Sequence, residues 1–428
     1  MREPQHPSRR DFLARSSAAI AATSFVAANA HAGGSDALRI GLVGCGGRGT
    51  GAAEQALTAD KGNKLVAVGD AFADAIKASL SNLSSSSIAD QVAVPEDRRY
   101  AGFDAFQKVI DQVDVVLLCT PPAFRPQHLA YAVNKGIHAF VEKPVATDGA
   151  GVRSVLESCK VAREKNLSLA SGHCWRYEPG RRETMQQVFD GKIGDIVAIE
   201  TTYNSQGVWE PRKTREQCGS EMEYQMRNWY YYLWLSGDHI VEQAVHGLDT
   251  MGWVMDDKAP LRCWGTGGRQ VRTDPKYGNI FDHFAIVYEY PNNVRGYHTC
   301  RHWVNSANQV KDYVLGSKGT CDVFGNTITG RGENDTLFRY RGPKKNMYQV
   351  EHDELFAAIR KGDHLRNVDR AAASTMLALM GRTAAYTGKV VTYDEVLNST
   401  ERLVPEAFDW DDNVPKTPIP VPGVPRLA

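Results

Sequence analysis

After an N-terminal stretch of different texture, apolar residues come in short runs, each ending in glycine, acid or proline. Leu38–Val43, Leu65–Asp70, Val113–Cys119 and Ile137–Val141 are five to seven residues long. Runs this short, bounded by turn formers, read as buried strands. Helical stretches fill the gaps, such as Thr50–Thr58 and Pro126–Asn134. Strand and helix in alternation predict a mostly parallel, doubly wound α/β sheet. After about residue 180 the pattern changes. Ile193–Tyr203, Ala285–Tyr290, Arg295–Thr299 and Asp312–Leu315 read as strands in succession rather than in alternation with helices. That succession predicts an antiparallel or mixed sheet in an α+β second domain. Ser81–Ser87 reads as a serine-rich surface loop. The proline-rich tail, residues 404–428, has no period and is expected to wrap the surface as extended chain.

Residues 1–32 are expected to lie outside the fold. Ser8-Arg9-Arg10-Asp11-Phe12-Leu13 is followed by an apolar run from Ala18 to Ala28 and by Ala30-His31-Ala32. Basic, apolar and small segments in this order read as a secretory leader, and the twin arginine points to the Tat translocon and a periplasmic destination. The apolar run is shorter than the roughly 18–20 residues that span a bilayer, so no stable membrane span is expected. A length of 428 residues suits two domains. Fifty basic residues balance fifty acidic ones. Such a chain has no electrostatic pull toward nucleic acid or an anionic membrane, and its partner is expected to be small and weakly charged.

Gly44-Cys45-Gly46-Gly47-Arg48-Gly49 follows the first strand and opens a helix. That is the context in which G-x-G-x-x-G binds a dinucleotide. The first glycine permits the turn, the second lets backbone amides approach the pyrophosphate, and the third allows close helix–strand packing. Asp70, ending the next strand, suits both ribose hydroxyls and repels a 2′-phosphate, so NAD is expected over NADP. Eight cysteines in an exported chain would ordinarily suggest disulfides. A Tat substrate folds in a reducing compartment, and Cys45 and Cys119 lie in loops expected to face the cofactor, so mostly free thiols are expected.

Glu142-Lys143-Pro144 after the Ile137–Val141 strand completes a set with Gly44–Gly49, Thr120-Pro121-Pro122, His128, His246-Gly247-Leu248-Asp249 and a late helix within Asn367–Lys389. On these motifs, across roughly residues 38–400, the chain resembles the Gfo/Idh/MocA sugar oxidoreductases. The resemblance implies an N-terminal Rossmann domain over 37–165. It implies a C-terminal α+β domain with a large open, mainly antiparallel sheet over 166–403, its late helix returning to the Rossmann domain. Homo-oligomers paired through that sheet are implied too. Thr120, Pro121, His128 and Glu142 would join the glycine loop at the cofactor. Lys143 would sit beside the nicotinamide and stabilise the alkoxide that develops as hydride leaves. The resemblance extends to the leader, since glucose–fructose oxidoreductase is exported with bound cofactor.

His246 is the expected general acid/base, since imidazole titrates near working pH. Where the family has aspartate four residues earlier, this chain has Glu242, expected one helical turn from His246 with His239 on the same stripe. The three are also metal-ligand types, but their spacing is not H-E-x-x-H, and no metal is expected. Arg176 and Tyr177 in His173-Cys174-Trp175-Arg176-Tyr177, Trp229, and His298, Arg301, His302 and Trp303 are softer substrate-pocket candidates. Three functions stay open. The first is an NAD-dependent oxidoreductase acting on a sugar, polyol or glycoside hydroxyl. Because the periplasm lacks a free NAD pool, its cofactor would be tightly bound and recycled within each cycle. The second, also implied by the resemblance, is an NAD-dependent glycosidase that oxidises C3 transiently and eliminates the aglycone, with Tyr177 the nearest base for the C2 proton. The third is a periplasmic sugar-binding protein without turnover.

Overall fold

The computed structural model describes residues 37–332, 335–411 and 413–424; the leader-like segment 1–32 lies outside them. The first sheet takes β1 (Leu38–Val43), β2 (Asn63–Asp70), β3 (Arg99–Ala101), β4 (Val115–Leu118), β5 (His138–Val141) and β6 (Leu169–Ser171). Its strands run parallel in the order β3-β2-β1-β4-β5-β6, the doubly wound order expected of a Rossmann domain. Successive residues alternate between its two faces. Ile40, Leu42, Leu117 and Phe140 pack on one side with Ala52, Ala56 and Leu57 of α1 (Gly47–Ala59) and Leu80 and Leu83 of α2 (Ala73–Ser84). Val43, Val116, Leu118 and Val141 pack on the other with α3 (Ala105–Ile110), α4 (Arg125–Lys135) and α5 (Gly149–Glu164). The serine-rich stretch differs from its expectation. It is helical through Ser84, because burial of Leu80 and Leu83 carries the last turn of α2 through the serines.

The second sheet, reached through α6 (Pro179–Phe189), has eight strands among the described residues. They are β7 (Ile196–Ser205), β8 (Arg262–Gly268), β9 (His283–Glu289), β10 (Arg295–His302), β11 (Gln309–Gly316), β12 (Gly319–Asp322), β13 (Thr327–Gly330) and β14 (Thr336–Arg339). The order is β14-β13-β12-β11-β7-β10-β9-β8, antiparallel except for the parallel pair β7–β10. The α/β plus open antiparallel architecture is therefore as expected. Between β7 and β8 lie α7 (Glu221–Arg227), α8 (Leu233–Ser236), α9 (His239–Glu242) and α10 (Val245–Val254). The helix expected to carry His239, Glu242 and His246 on one stripe is thus broken at Gln243–Ala244.

Three later helices follow: α11 (Met347–Lys361), α12 (Val368–Thr387) and α13 (Tyr393–Leu397). Leu355 and Phe356 of α11 join the core of the first sheet. From α12, the Thr375 hydroxyl accepts the Val145 amide at 3.2 Å. Arg382, also on α12, donates to the carbonyls of Thr147 at 2.7 Å and Gly237 at 3.0 Å. The late helices thereby fasten the loop after β5 to the second domain. No helix among the described residues is long and apolar enough to cross a membrane. The eight cysteines are free thiols, six of them buried.

Candidate active site

β1 ends at Val43, and the chain must turn at once into α1. Gly44 has φ +95°, and a Cβ there would lie 2.6 Å from the Cys119 and Thr120 backbone. A Cβ on Gly49 would lie 1.8 Å from the Gly44 carbonyl oxygen. These two glycines are demanded by packing. Gly46 and Gly47 are different: a Cβ on either meets nothing within 4 Å. Gly46 caps α1 without a side-chain hydrogen bond, so the first amides of a 13-residue helix face open space, which suits an anion. At the end of β2, Asp70 accepts the Cys45 amide at 2.7 Å and the Phe72 amide at 3.0 Å. Burial raises its carboxyl despite these bonds. An uncapped helix start, an open glycine floor and a carboxylate one strand away fit a nicotinamide dinucleotide.

Several neighbours of this loop sit otherwise than expected. The Cys45 side chain turns into the core, 3.5 Å from the Gly69 carbonyl, because a thiol packs as a small hydrophobe. Only its backbone belongs to the site. His128 is buried, stacked 4.1 Å from Phe106, and touches Thr120 through Nδ1 at 3.5 Å. Burial lowers it to about 3, so it supports the Thr120-Pro121 turn as a neutral ring. Arg48 pairs with Glu142 at 2.9 Å, its guanidinium 5.0 Å over the Tyr348 ring. It ties the glycine loop to the Glu-Lys-Pro turn.

At that turn Glu142 is buried and also accepts the Lys143 amide at 3.0 Å; the Lys143–Pro144 bond is cis. Lys143 Nζ donates to the Glu242 carbonyl at 2.6 Å and to Glu242 Oε1 at 3.2 Å. Glu242 therefore holds Lys143 and does not orient His246. The chain breaks between them: Ala244 N bonds back to His239 O at 3.1 Å and α10 starts only at Val245. His246 stacks on Trp175 at 4.8 Å, with His173 edge-on at 6.2 Å. Its Nδ1 is buried and has no hydrogen-bond partner among the described residues. Burial, then the charges of Lys143, His173 and Arg181, press His246 well below the ordinary imidazole range, so it is neutral. Lys143, Glu242 and His246 thus come together from two domains.

Other functional groups lack a sequence signature. Arg125 is buried and donates to the Thr120 carbonyl at 2.6 Å and to the Pro144 carbonyl, joining the two turns that flank the site. Arg181 lies 4.5 Å over the Trp175 ring on which His246 also stacks, and its charge is felt by the buried Asp312. Burial lifts Asp312 to about 8. The Trp175 position stood inside the His173–Tyr177 string; Arg181 and Asp312 join it only in three dimensions.

The softer candidates fall elsewhere. Arg176 is committed to Asp249 at 3.0 Å and Asp257 at 2.5 Å. The Tyr177 hydroxyl accepts Asn367 at 2.6 Å, and burial raises it far above its ordinary value, which makes it a poor base. Both line a cavity of about 270 Å³ with His173, Asp249 and Asn367. His239 is wholly buried, bonded to the Tyr230 hydroxyl at 2.6 Å and stacked 4.3 Å from His302. Trp229 packs 5.5 Å from Trp209. His298 bonds Thr201 at 2.8 Å inside the sheet. The histidines are buried in the second domain, with His239 Nε2, His298 Nε2 and His302 Nδ1 left without a partner among the described residues, and Trp229 is half-buried at the edge of the core. Among the described residues no group of three His, Cys, Asp or Glu is arranged to hold a metal ion.

Comparison with known proteins identifies the family and the fold. A Gfo/Idh/MocA model, described as an oxidoreductase family with an NAD-binding Rossmann fold, matches residues 38–173, and the model of the GFO/IDH/MocA C-terminal domain matches residues 182–322. The chain is 28% identical over 249 residues to an inositol 2-dehydrogenase of Rhizobium meliloti, covering 58% of this chain and 63% of that one. It is 22% identical over 261 residues to a 2,7-anhydro-N-acetylneuraminate hydratase of Mediterraneibacter gnavus, covering 59% and 64%. A glycosyl hydrolase family 109 protein of Porphyromonas gingivalis matches at 26% over 179 residues, covering 41% and 36%. Each match spans less than two thirds of the relative. The crystal structure of an aldose–aldose oxidoreductase from Caulobacter crescentus superposes with a TM-score of 0.64 at 18% identity, covering 83% of this chain and 99% of that one.

Proposed function

The chain belongs to the Gfo/Idh/MocA oxidoreductase family, and from that premise we propose that it oxidises a hydroxyl of a sugar, polyol or glycoside with a tightly held NAD that is re-reduced or re-oxidised within the same cycle. The observation that carries this reading is the meeting of Lys143, fixed by Glu242, with a neutral His246 whose Nδ1 is unpartnered. Bound NAD would accept the hydride of the carbinol carbon and later return it. Lys143 would donate to the carbinol oxygen and stabilise the developing alkoxide. His246 would take the hydroxyl proton and give it back when a carbonyl is reduced. Asp70 would hold the ribose hydroxyls and favour NAD over NADP.

The leader motif supports export through the Tat route, and a compartment without a free NAD pool then requires a captive cofactor. The second sheet exposes Tyr297 at 46% beside the exposed Glu200, which supports a homo-oligomer paired on that face. The test is to purify the mature protein without added cofactor, denature it and identify released dinucleotide by mass. Near-stoichiometric NAD or NADH is expected; its absence would refute the captive cofactor.

A second reading, a glycosidase working by transient oxidation, is favoured by the glycosyl hydrolase family 109 relative. It is weakened by Tyr177, which is bound to Asn367 rather than offered as a base. Stoichiometry separates the two. A glycosidase releases many aglycones per bound NAD with no second substrate, whereas the oxidoreductase needs a carbonyl acceptor to turn over.

A further inference from the structure

The loops that follow β2, β3 and β4 each place one phenylalanine near the carboxyl edge of the first sheet: Phe72, Phe103 and Phe124. Phe72 is bonded through its amide to the Asp70 carboxylate. This rim is not left to solvent. Trp410 of the tail packs 5.4 Å from Phe72 and 4.5 Å from Phe103. Phe408 packs 5.5 Å from Phe103 and 4.9 Å from Phe124. Arg227, from α7, lies 3.8 Å over the other aromatic neighbour of Trp410, the Phe72 ring, and pairs with Asp74 at 2.8 Å.

The tail is pinned on both sides of these two aromatics. Before them, the buried Leu403 donates its amide to Asp148 at 2.9 Å. After them, Val414 is buried and the Thr417 carbonyl accepts Asn279 at 2.8 Å. The segment between is therefore a strap fastened at one end to the first domain and at the other to the second. Its apolar side chains point at the rim beside Asp70, where ligands enter sheets of this type.

We propose that Phe408 and Trp410 form the outer wall of the adenosine end of the dinucleotide site and hold the cofactor in place between turnovers. This rests on the captive-cofactor reading above and gives it a structural means. The strap would have to lift from Phe72 and Phe103 before the adenosine half leaves.

The full-length protein, purified with its dinucleotide, is mixed with excess isotopically labelled NAD, and exchange is followed by mass. Trp410→Ala is expected to speed exchange about tenfold, the worth of one or two aromatic contacts. Trp410→Phe should stay near wild type. Ile419→Ala, an exposed apolar position further along the tail, should change nothing; Trp410→Phe and Ile419→Ala should keep the wild-type unfolding midpoint, and Trp410→Ala should lower it by no more than the same one or two contacts. Equal exchange rates in Trp410→Ala and wild type would overturn the strap while leaving the captive cofactor standing. Wild-type protein that carries no dinucleotide, or exchanges it within seconds, would overturn both.

Discussion

A methyl group on Gly49 would sit 1.8 Å from the Gly44 carbonyl oxygen and 3.0 Å from its carbon. Non-bonded contacts settle near 3.5 Å, so α1 would have to retreat from the turn by about 1.5 Å. Overpacking of a close contact costs about 1–3 kcal/mol, and the upper end applies here because the obstructing atoms are backbone. Gly46→Ala meets no such obstacle. Gly46 has φ −70° and ψ −178°, open to any residue, and a Cβ there has no neighbour within 4 Å. Folding should be unharmed, or stabilised by about 0.4–1 kcal/mol through the unfolded chain. The same methyl would nevertheless project over the uncapped start of α1, where the pyrophosphate belongs. NAD affinity should fall at least tenfold, about 1.4 kcal/mol. Denaturant unfolding of the cofactor-free proteins, set beside calorimetric titration with NAD, reads the two effects separately. Gly49→Ala should lose stability, and Gly46→Ala should lose affinity alone. A Gly46→Ala protein that binds NAD as wild type does would refute the assignment of the open floor to the dinucleotide.

Other consequences follow from the same coordinates. Asp70→Asn removes the charge that would repel a 2′-phosphate, so the preference for NAD over NADP should shrink about tenfold or more in paired titrations. Lys143→Met should lower kcat by about 10²–10³-fold, the usual loss of an oxyanion donor. Because the Lys143 charge helps depress His246, the same variant should move the His-dependent limb of the pH–rate profile upward; an unmoved limb would place Lys143 away from His246 in the working enzyme. Asp312 carries a pH signature in stability. Its carboxyl is raised from 3.8 to about 8 in the fold, so the folded state holds a proton that the unfolded state has lost. The stabilisation is complete below about pH 4 and disappears as pH rises through about 8. The stability difference between wild type and Asp312→Asn should therefore shift against wild type from pH 5 to pH 8.5; a flat difference in denaturant unfolding would sink the argument.

What the sequence made legible was what a contiguous backbone demands. The glycine loop needs its turn, its positive φ and its close approach within six residues, and the strands of the first sheet announce themselves as unbroken apolar runs. β3 and β6, three residues each, carry too few side chains to show a period. Pairings between distant segments were not legible. Glu242 and His246 have the spacing of one helical face, but whether the helix continues depends on tertiary context. Asp238 starts α9 with φ +89°, the helix lasts one turn, and the break at Gln243–Ala244 gives Glu242 to Lys143 instead. His239 and Trp229 are polar-tipped rings that any pocket could use, and only their packing against Tyr230, His302 and Trp209 assigns them to the core. The same holds for Arg125, Arg181 and the aromatics of the tail.

The way the two domains are joined bears on why a captive cofactor suits this chain. Lys143 belongs to the loop after β5, while its partner Glu242 and His246 belong to the second domain. Among the bonds that cross near this point are these three. Lys143 Nζ reaches the Glu242 carbonyl at 2.6 Å, the Val145 amide reaches Thr375 at 3.2 Å, and Arg382 reaches the Thr147 carbonyl at 2.7 Å. Domain separation wide enough to free a dinucleotide would break them. At about 1 kcal/mol net for each such bond, that is about 3 kcal/mol, or roughly a hundredfold on the population of the open form. If the cofactor is captive, as proposed above, these crossing bonds supply the cost of opening that would retain it.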